Sequence, residues 1–154
     1  MIAYLDASAL VKRYAAERGS DLVRRFLEGA DVAATAILTR VELTAAFAKA
    51  IRVGALEPGE ALQCRQLAGR DWFDLVRLPV TEATVDRAAR LAWSDNLRGY
   101  DAVQLAAACA WQEALDQPVA FASFDVRLWE AAGRQGLVAF PPDLPSLVED
   151  WRVG

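Results

Sequence analysis

The 154-residue chain carries 17 Lys and Arg against 21 Asp and Glu, for a net charge of −4, and is 55% hydrophobic. That length fits one domain able to bury a real core, and that composition excludes a disordered chain. The acidic balance argues against general binding to nucleic acid, and the complete absence of histidine excludes Ser-His-Asp and Cys-His chemistry. Cys64 and Cys109 lie far apart without a CxxC motif, so they read as reduced core thiols, and zinc lacks its usual ligands. Met1–Asp6 has no basic region and meets an acid too early for a signal peptide. The uncharged run from Ala102 to Gln112 is too short to span a bilayer. A cytoplasmic protein without membrane contact is expected.

Ile2–Leu5 reads as a short buried strand, and helical spacing follows from Ser8 with Leu10, Val11, Tyr14 and Ala15 on one face. Ser20 is the expected N-cap of a helix carrying Leu22, Val23, Phe26 and Leu27, stopped at Gly29. Val32–Thr35 is the next strand. Thr39 opens a long helix whose apolar side is expected at Val41, Ala45, Ala48 and Ile51, closed by Gly54. Pro58 suits the first turn of another helix reaching about Trp72.

Leu75–Leu78 reads as a strand before Pro79. Thr81 opens a helix with Val85, Ala88, Ala89, Ala92 and Trp93 on its apolar side. The polar loop Ser94–Gly99 leads into an alanine-rich helix from Tyr100 to about Leu115, and Val119 begins a strand. Asp125 starts a helix ending near Gly136, Leu137–Phe140 is a last strand, and Pro141-Pro142 breaks into a tail. Short strands alternating with helices predict an α/β domain over 1–140 with a mainly parallel sheet, and a tail over 141–154 packed on or extending from it.

Asp6, Glu42, Asp101 and Asp125 each fall where a helix begins, three of them close after a strand-like run. Ligands bind at the strand C-termini of a parallel sheet, and carboxylates gathered there repel one another unless a cation lies between them. A divalent-metal site is the first expectation. Asp6-Ala7-Ser8 and Ser123-Phe124-Asp125 each pair a carboxylate with a hydroxyl at a strand-to-helix junction, where a helix cap is the plainer reading. Thr39-Arg40-Val41-Glu42 matches a capping box, with Glu42 returning to the cap. Asp101 shares a helix side with Leu105 and Ala108, which aims it toward packed interior, where an unpaired charge is costly. Asp95, Asp71, Asp74, Asp86, Asp143, Glu149 and Asp150 read as loop or surface acids. Lys12, Arg13, Arg18, Arg24 and Arg25 form an early basic cluster that would suit a rim for phosphate.

Taken in order, Tyr4–Tyr14, Thr39–Glu42, Leu97–Ala106 and Ala122–Leu128 resemble the PIN-domain nucleases, specifically the VapC-type toxins of toxin–antitoxin pairs. The resemblance covers the chain to about Phe140. It implies a PIN-like α/β/α sandwich and Mg²⁺- or Mn²⁺-dependent endoribonuclease activity on structured RNA such as tRNA or rRNA. It also implies a homodimer, and inhibition by a small VapB-type antitoxin. Carried over by position, Asp6, Glu42, Asp101 and Asp125 become the acidic metal-binding quartet, with Ser8 and Ser123 as supporting hydroxyls. Gln104 departs from relatives that often carry histidine there, which would bear on substrate contacts. Two other readings remain open: a catalytically weak PIN-like binding module acting through its partner, and a phosphatase using Asp6 as phosphoryl acceptor.

Overall fold

Strands form at Ile2–Leu5 (β1), Val32–Ala36 (β2), Val76–Leu78 (β3), Val119–Ala122 (β4) and Val138–Phe140 (β5). In the computed structural model, which describes residues 1–154, they make one five-stranded sheet in the order β3-β2-β1-β4-β5. Every pairing is parallel, with Ile2 opposite Val32 on one side and Val119 on the other. The helices are Ala7–Leu10 (α1, continued by a 3₁₀ turn over Val11–Arg13), Ser20–Glu28 (α2), Thr39–Arg52 (α3), Pro58–Asp71 (α4), Glu82–Ser94 (α5), Gly99–Leu115 (α6), Val126–Arg134 (α7) and Leu144–Val153 (α8). The expected α/β class with a parallel sheet is what the chain adopts.

The period-2 alternation of the central strands builds two cores. Tyr4 of β1 and Val119 and Phe121 of β4 face α5, α6 and α7. Ala3, Leu5, Ala120 and Ala122 face α1 to α4, where Phe26, Leu43 and Phe47 fill the space. Helix α6 is buried almost all round, from Ala102 through Gln104 to Cys109, and its alanines let it lie close on the sheet. Both cysteines are free and buried, as expected. No helix is long and apolar enough to cross a membrane.

Two helices bury residues that differ, wholly or in part, from those expected. On α3 the buried residues are Thr39, Leu43 and Phe47, while Val41 is 66% exposed. On α5 the expected Ala88 is buried and Ala92 packs against the core, but Thr84 and Leu91 join them while Val85 and Trp93 are 52% and 92% exposed. Each helix has apolar residues on more than one side. On α3 the larger area of Leu43 and Phe47 outweighs a run of alanines. Ser20 is the first residue of α2 rather than its cap; Gly19 caps it in a left-handed conformation. After Pro142 the chain is helical, and α8 buries Leu144.

The strand order reverses at β1. The chain moves outward through β2 and β3, then returns to the other side of β1 for β4 and β5. The C-terminal ends of β1 and β4 therefore adjoin at a topological switch point, the place in such sheets where ligands bind. Asp6 N–H donates to the Ala122 carbonyl at 3.1 Å and ties the two strand ends together.

One contact from α8 reaches this edge. Trp151 stacks on Phe124 with centroids 6.0 Å apart, and the Lys12 ammonium lies 4.7 Å from the Phe124 ring centre. Gly19 sits beneath the pair at φ +92°, where an added Cβ would come 2.8 Å from the Phe124 ring and 3.1 Å from Trp151. Gly19→Ala is therefore expected to lose about 1–3 kcal/mol of stability in urea unfolding, from both the backbone conformation and the clash.

Candidate active site

The C-terminal ends of β1 and β4 lead into Asp6 and Ser123, while Ser8 lies in the first turn of α1 and Asp125 at the cap of α7. Asp6 caps α1: its Oδ1 accepts from Ala9 N–H at 2.8 Å. Ser8 Oγ lies 2.7 and 2.9 Å from the two Asp6 oxygens, and Ser123 Oγ donates to Oδ2 at 2.6 Å. Ser8 in turn accepts from Phe124 N–H at 2.9 Å, and Ser123 accepts from Asp125 N–H at 3.2 Å. These two serines knit the β1–α1 and β4–α7 junctions into one unit. Ser8 has one proton to share between two oxygens. A carboxylate offers about four acceptor sites, so Asp6 keeps one open.

Asp6 is 2% exposed, and no side-chain cation reaches it. Burial pushes its carboxyl from the ordinary 3.8 up to about 7. The three hydrogen bonds pull against that shift, and the charge of Asp101 adds to it. Glu42 is raised by burial, against a bond from Gln104, and again by the charge of Asp101. Asp101 is raised by burial and by the charge of Asp125, while Arg98 draws it down. All four acids thus come within electrostatic reach, with Asp101 central. They stop short of a closed cage, since no three converge as ready-made metal ligands. Asp125 caps α7 through Leu128 N–H at 2.9 Å, so for Asp6 and Asp125 a cap and a site carboxylate are the same side chain.

Glu42 differs from its expected capping role. Leu38, already helical, occupies the cap position of α3, and no side chain caps it. Gln104 reaches across from α6 instead, donating from Nε2 to Glu42 Oε1 at 2.6 Å and to Thr39 Oγ1 at 2.7 Å. Tyr4 O–H donates to Gln104 Oε1 at 2.6 Å. Thr35 Oγ1 lies 2.7 Å from both the Leu5 carbonyl and Thr39 Oγ1. Gln104 is 1% exposed, so it holds Glu42 from behind, within the core.

The early basic cluster is not a single rim. Lys12 pairs with Glu17, Arg24 with Asp21, and Arg18 donates to the Trp151 carbonyl. The arginines beside the acids are Arg98 and Arg127, which line a cavity of about 250 Å³ with Asp101, Asp125 and Val126. Sequence reasoning missed both; the only available signal was the proximity of Arg98 to Asp101 and of Arg127 to Asp125. Asp95, expected to be an ordinary loop acid, pairs with Arg134 at 2.8 Å.

Residues 3–133 match the PIN domain family. The chain belongs to that family. It is 37% identical over 147 residues, 93% of its length, to Ribonuclease VapC45 of Mycobacterium tuberculosis, and the match covers 97% of that protein. Ribonuclease VapC49 of the same species matches with the same identity and coverage. As a PIN domain, the chain thus carries its buried acid at the switch point of the family's parallel sheet.

Two outcomes are expected. Gln104→Leu removes the partner of Tyr4, Thr39 and Glu42 together, and should cost about 2–4 kcal/mol in urea unfolding. The second concerns pH. Between 3.8 and about 7 the unfolded chain ionises Asp6 while the folded chain keeps it protonated. Without divalent ions, stability therefore falls as pH rises through that window. Asp6→Asn should flatten part of that fall and be more stable than the parent at pH 8, by an amount on the order of a few kcal/mol. Unfolding in EDTA at pH 5 and pH 8 checks it.

Proposed function

We propose that this PIN domain is a Mg²⁺- or Mn²⁺-dependent endoribonuclease and the toxin of a type II toxin–antitoxin pair. The observation that carries the reading is Asp6: a buried carboxylate at the switch point, raised to about 7 and faced by Asp101, with no internal cation to neutralise it. The donor set fits a hard divalent ion. It consists only of oxygens, and Mg²⁺ needs few carboxylates because it keeps several waters. Asp6 and Asp101 would hold the ion directly, with Glu42 and Asp125 acting directly or through water. Asp101 accepts no hydrogen bond from the protein, and Glu42 Oε2 is likewise unengaged, so both have lone pairs to offer.

When bound, the ion would supply Lewis-acid polarisation of a phosphoryl oxygen and a lowered pKa for an attacking water. The chain's own residues do the rest. Ser8 and Ser123 fix the Asp6 carboxylate in one orientation, so that it needs no rearrangement on binding. Gln104 holds Glu42 toward the same space. The names of the two Mycobacterium tuberculosis relatives support ribonuclease action. A VapB-type antitoxin, a homodimer and a cytoplasmic location accompany this reading, with structured RNA such as tRNA or rRNA as substrate.

Asp6→Asn and Asp101→Asn are each expected to lower RNA cleavage at least about 100-fold while the chain stays folded, since each removes a carboxylate proposed to hold the cation. Chelation should abolish cleavage by the parent, and added Mn²⁺ should restore it. Retained cleavage and growth arrest in both variants would sink the proposal.

A further inference from the structure

Arg98 stands beside the acids, and nothing assigned so far uses it. Its Nε lies 3.9 Å from Asp101 Oδ2 and its Nη2 lies 3.6 Å from Asp125 Oδ2, while 83% of the side chain is exposed. Both separations exceed the roughly 2.7–2.9 Å of a charge-assisted hydrogen bond. The guanidinium is therefore drawn to the two carboxylates without being locked onto them. Its backbone, by contrast, is fixed. Arg98 is the extended N-cap of α6, and its carbonyl accepts from Ala102 N–H at 2.9 Å. The side chain can swing about a stationary Cα, over a cavity of about 250 Å³ that it shares with Asp101, Asp125 and Arg127. Arg127 is already engaged, donating to the Asn96 carbonyl at 3.1 Å.

We propose that Arg98 is a displaceable counter-cation of the Asp101–Asp125 pair, which cedes these carboxylates to a divalent ion and then binds a phosphate oxygen of the RNA strand. This rests on the nuclease reading above. Three observations support it. Two like charges cannot share the carboxylate pair, so an arriving cation and the guanidinium compete for it. The arginine's grip is weak enough to yield, being long and solvent-exposed. Once released it keeps a planar fork whose geometry suits phosphate, at the mouth of the cavity where a strand backbone would lie. Arg98 would thus oppose the metal in the free protein and hold RNA in the loaded one.

The test pairs a binding measurement without RNA with a kinetic one. Mn²⁺ affinity is followed by calorimetry on the parent, Arg98→Ala and Arg98→Lys, with Arg90→Ala, on the outer side of α5, as a control for lost charge. Arg98→Ala is expected to bind Mn²⁺ roughly twofold to fivefold tighter than the parent, with Arg98→Lys and Arg90→Ala close to the parent. At saturating Mn²⁺, Arg98→Ala should show a raised KM for RNA. Its plot of log kcat/KM against log salt should be shallower by about 0.7, the loss of one phosphate contact to a single strand. Equal or weaker Mn²⁺ binding by Arg98→Ala overturns the proposal, as does an unchanged KM and salt slope. A parent that binds no Mn²⁺ sinks the metal-dependent reading and this inference together. A parent that binds Mn²⁺ with the same affinity as Arg98→Ala sinks this inference alone.

Discussion

A carboxylate buried at the end of the central strand is the constraint on which the rest of the site depends. Asp6 has to stand there with almost no solvent and no side-chain cation. An ionised group in that position costs several kcal/mol unless something neutralises or solvates it. Two hydroxyls and one amide give partial relief, and the remaining imbalance appears as a carboxyl raised to about 7. The serines exist at their positions because the acid does, and the pairing of β1 with β4 exists in a register that lets Ser123 reach it. An added cation would resolve the same imbalance. Lost stability at high pH and an attraction for cations would therefore be two expressions of one electrostatic strain.

Behind the acids lies a second layer that links site and core. Tyr4 stacks face to face with Phe121, 5.3 Å apart, and spends its hydroxyl on Gln104. Gln104 passes the connection to Glu42 on one side and to Thr39 and Thr35 on the other. Every polar group in this layer is satisfied, which is the condition under which a buried polar network fixes geometry rather than weakening the core. A glutamate near the start of α3 thus takes its aim from a helix on the opposite face of the sheet.

Much of this was legible in the sequence, and the parts that were not share a cause. Asp6 and Asp125 stood out because each follows a short apolar run and precedes a helical one, a purely local pattern. The parallel sheet followed from the alternation of such runs. The capping box suggested by Thr39 through Glu42 does not form, because the partner that holds Glu42, Gln104, lies far along the chain. The inward face of α3, and part of that of α5, escaped for a related reason: alanines on several sides leave helical periodicity undecided until the sheet chooses which side to cover. Arg98 was silent because an arginine before a helix has many uses, and only the fold sets it against Asp125 as well as Asp101.

The pairing of the first strand with the fourth has a consequence for how the protein comes into being. Asp6 receives its bond from Ser123, 117 residues later in the chain, and β1 has no neighbour on that side until β4 is made. Domains condense during synthesis only as fast as their long-range partners emerge. A chain still on the ribosome, with β1 to β3 already exposed, holds Asp6 without Ser123 and Asp101 without Asp125. The four acids therefore come together only once β4 and the start of α7 have been made. Until then β1 is paired on one side only, and its buried acid lacks one of the two hydroxyls that hold it.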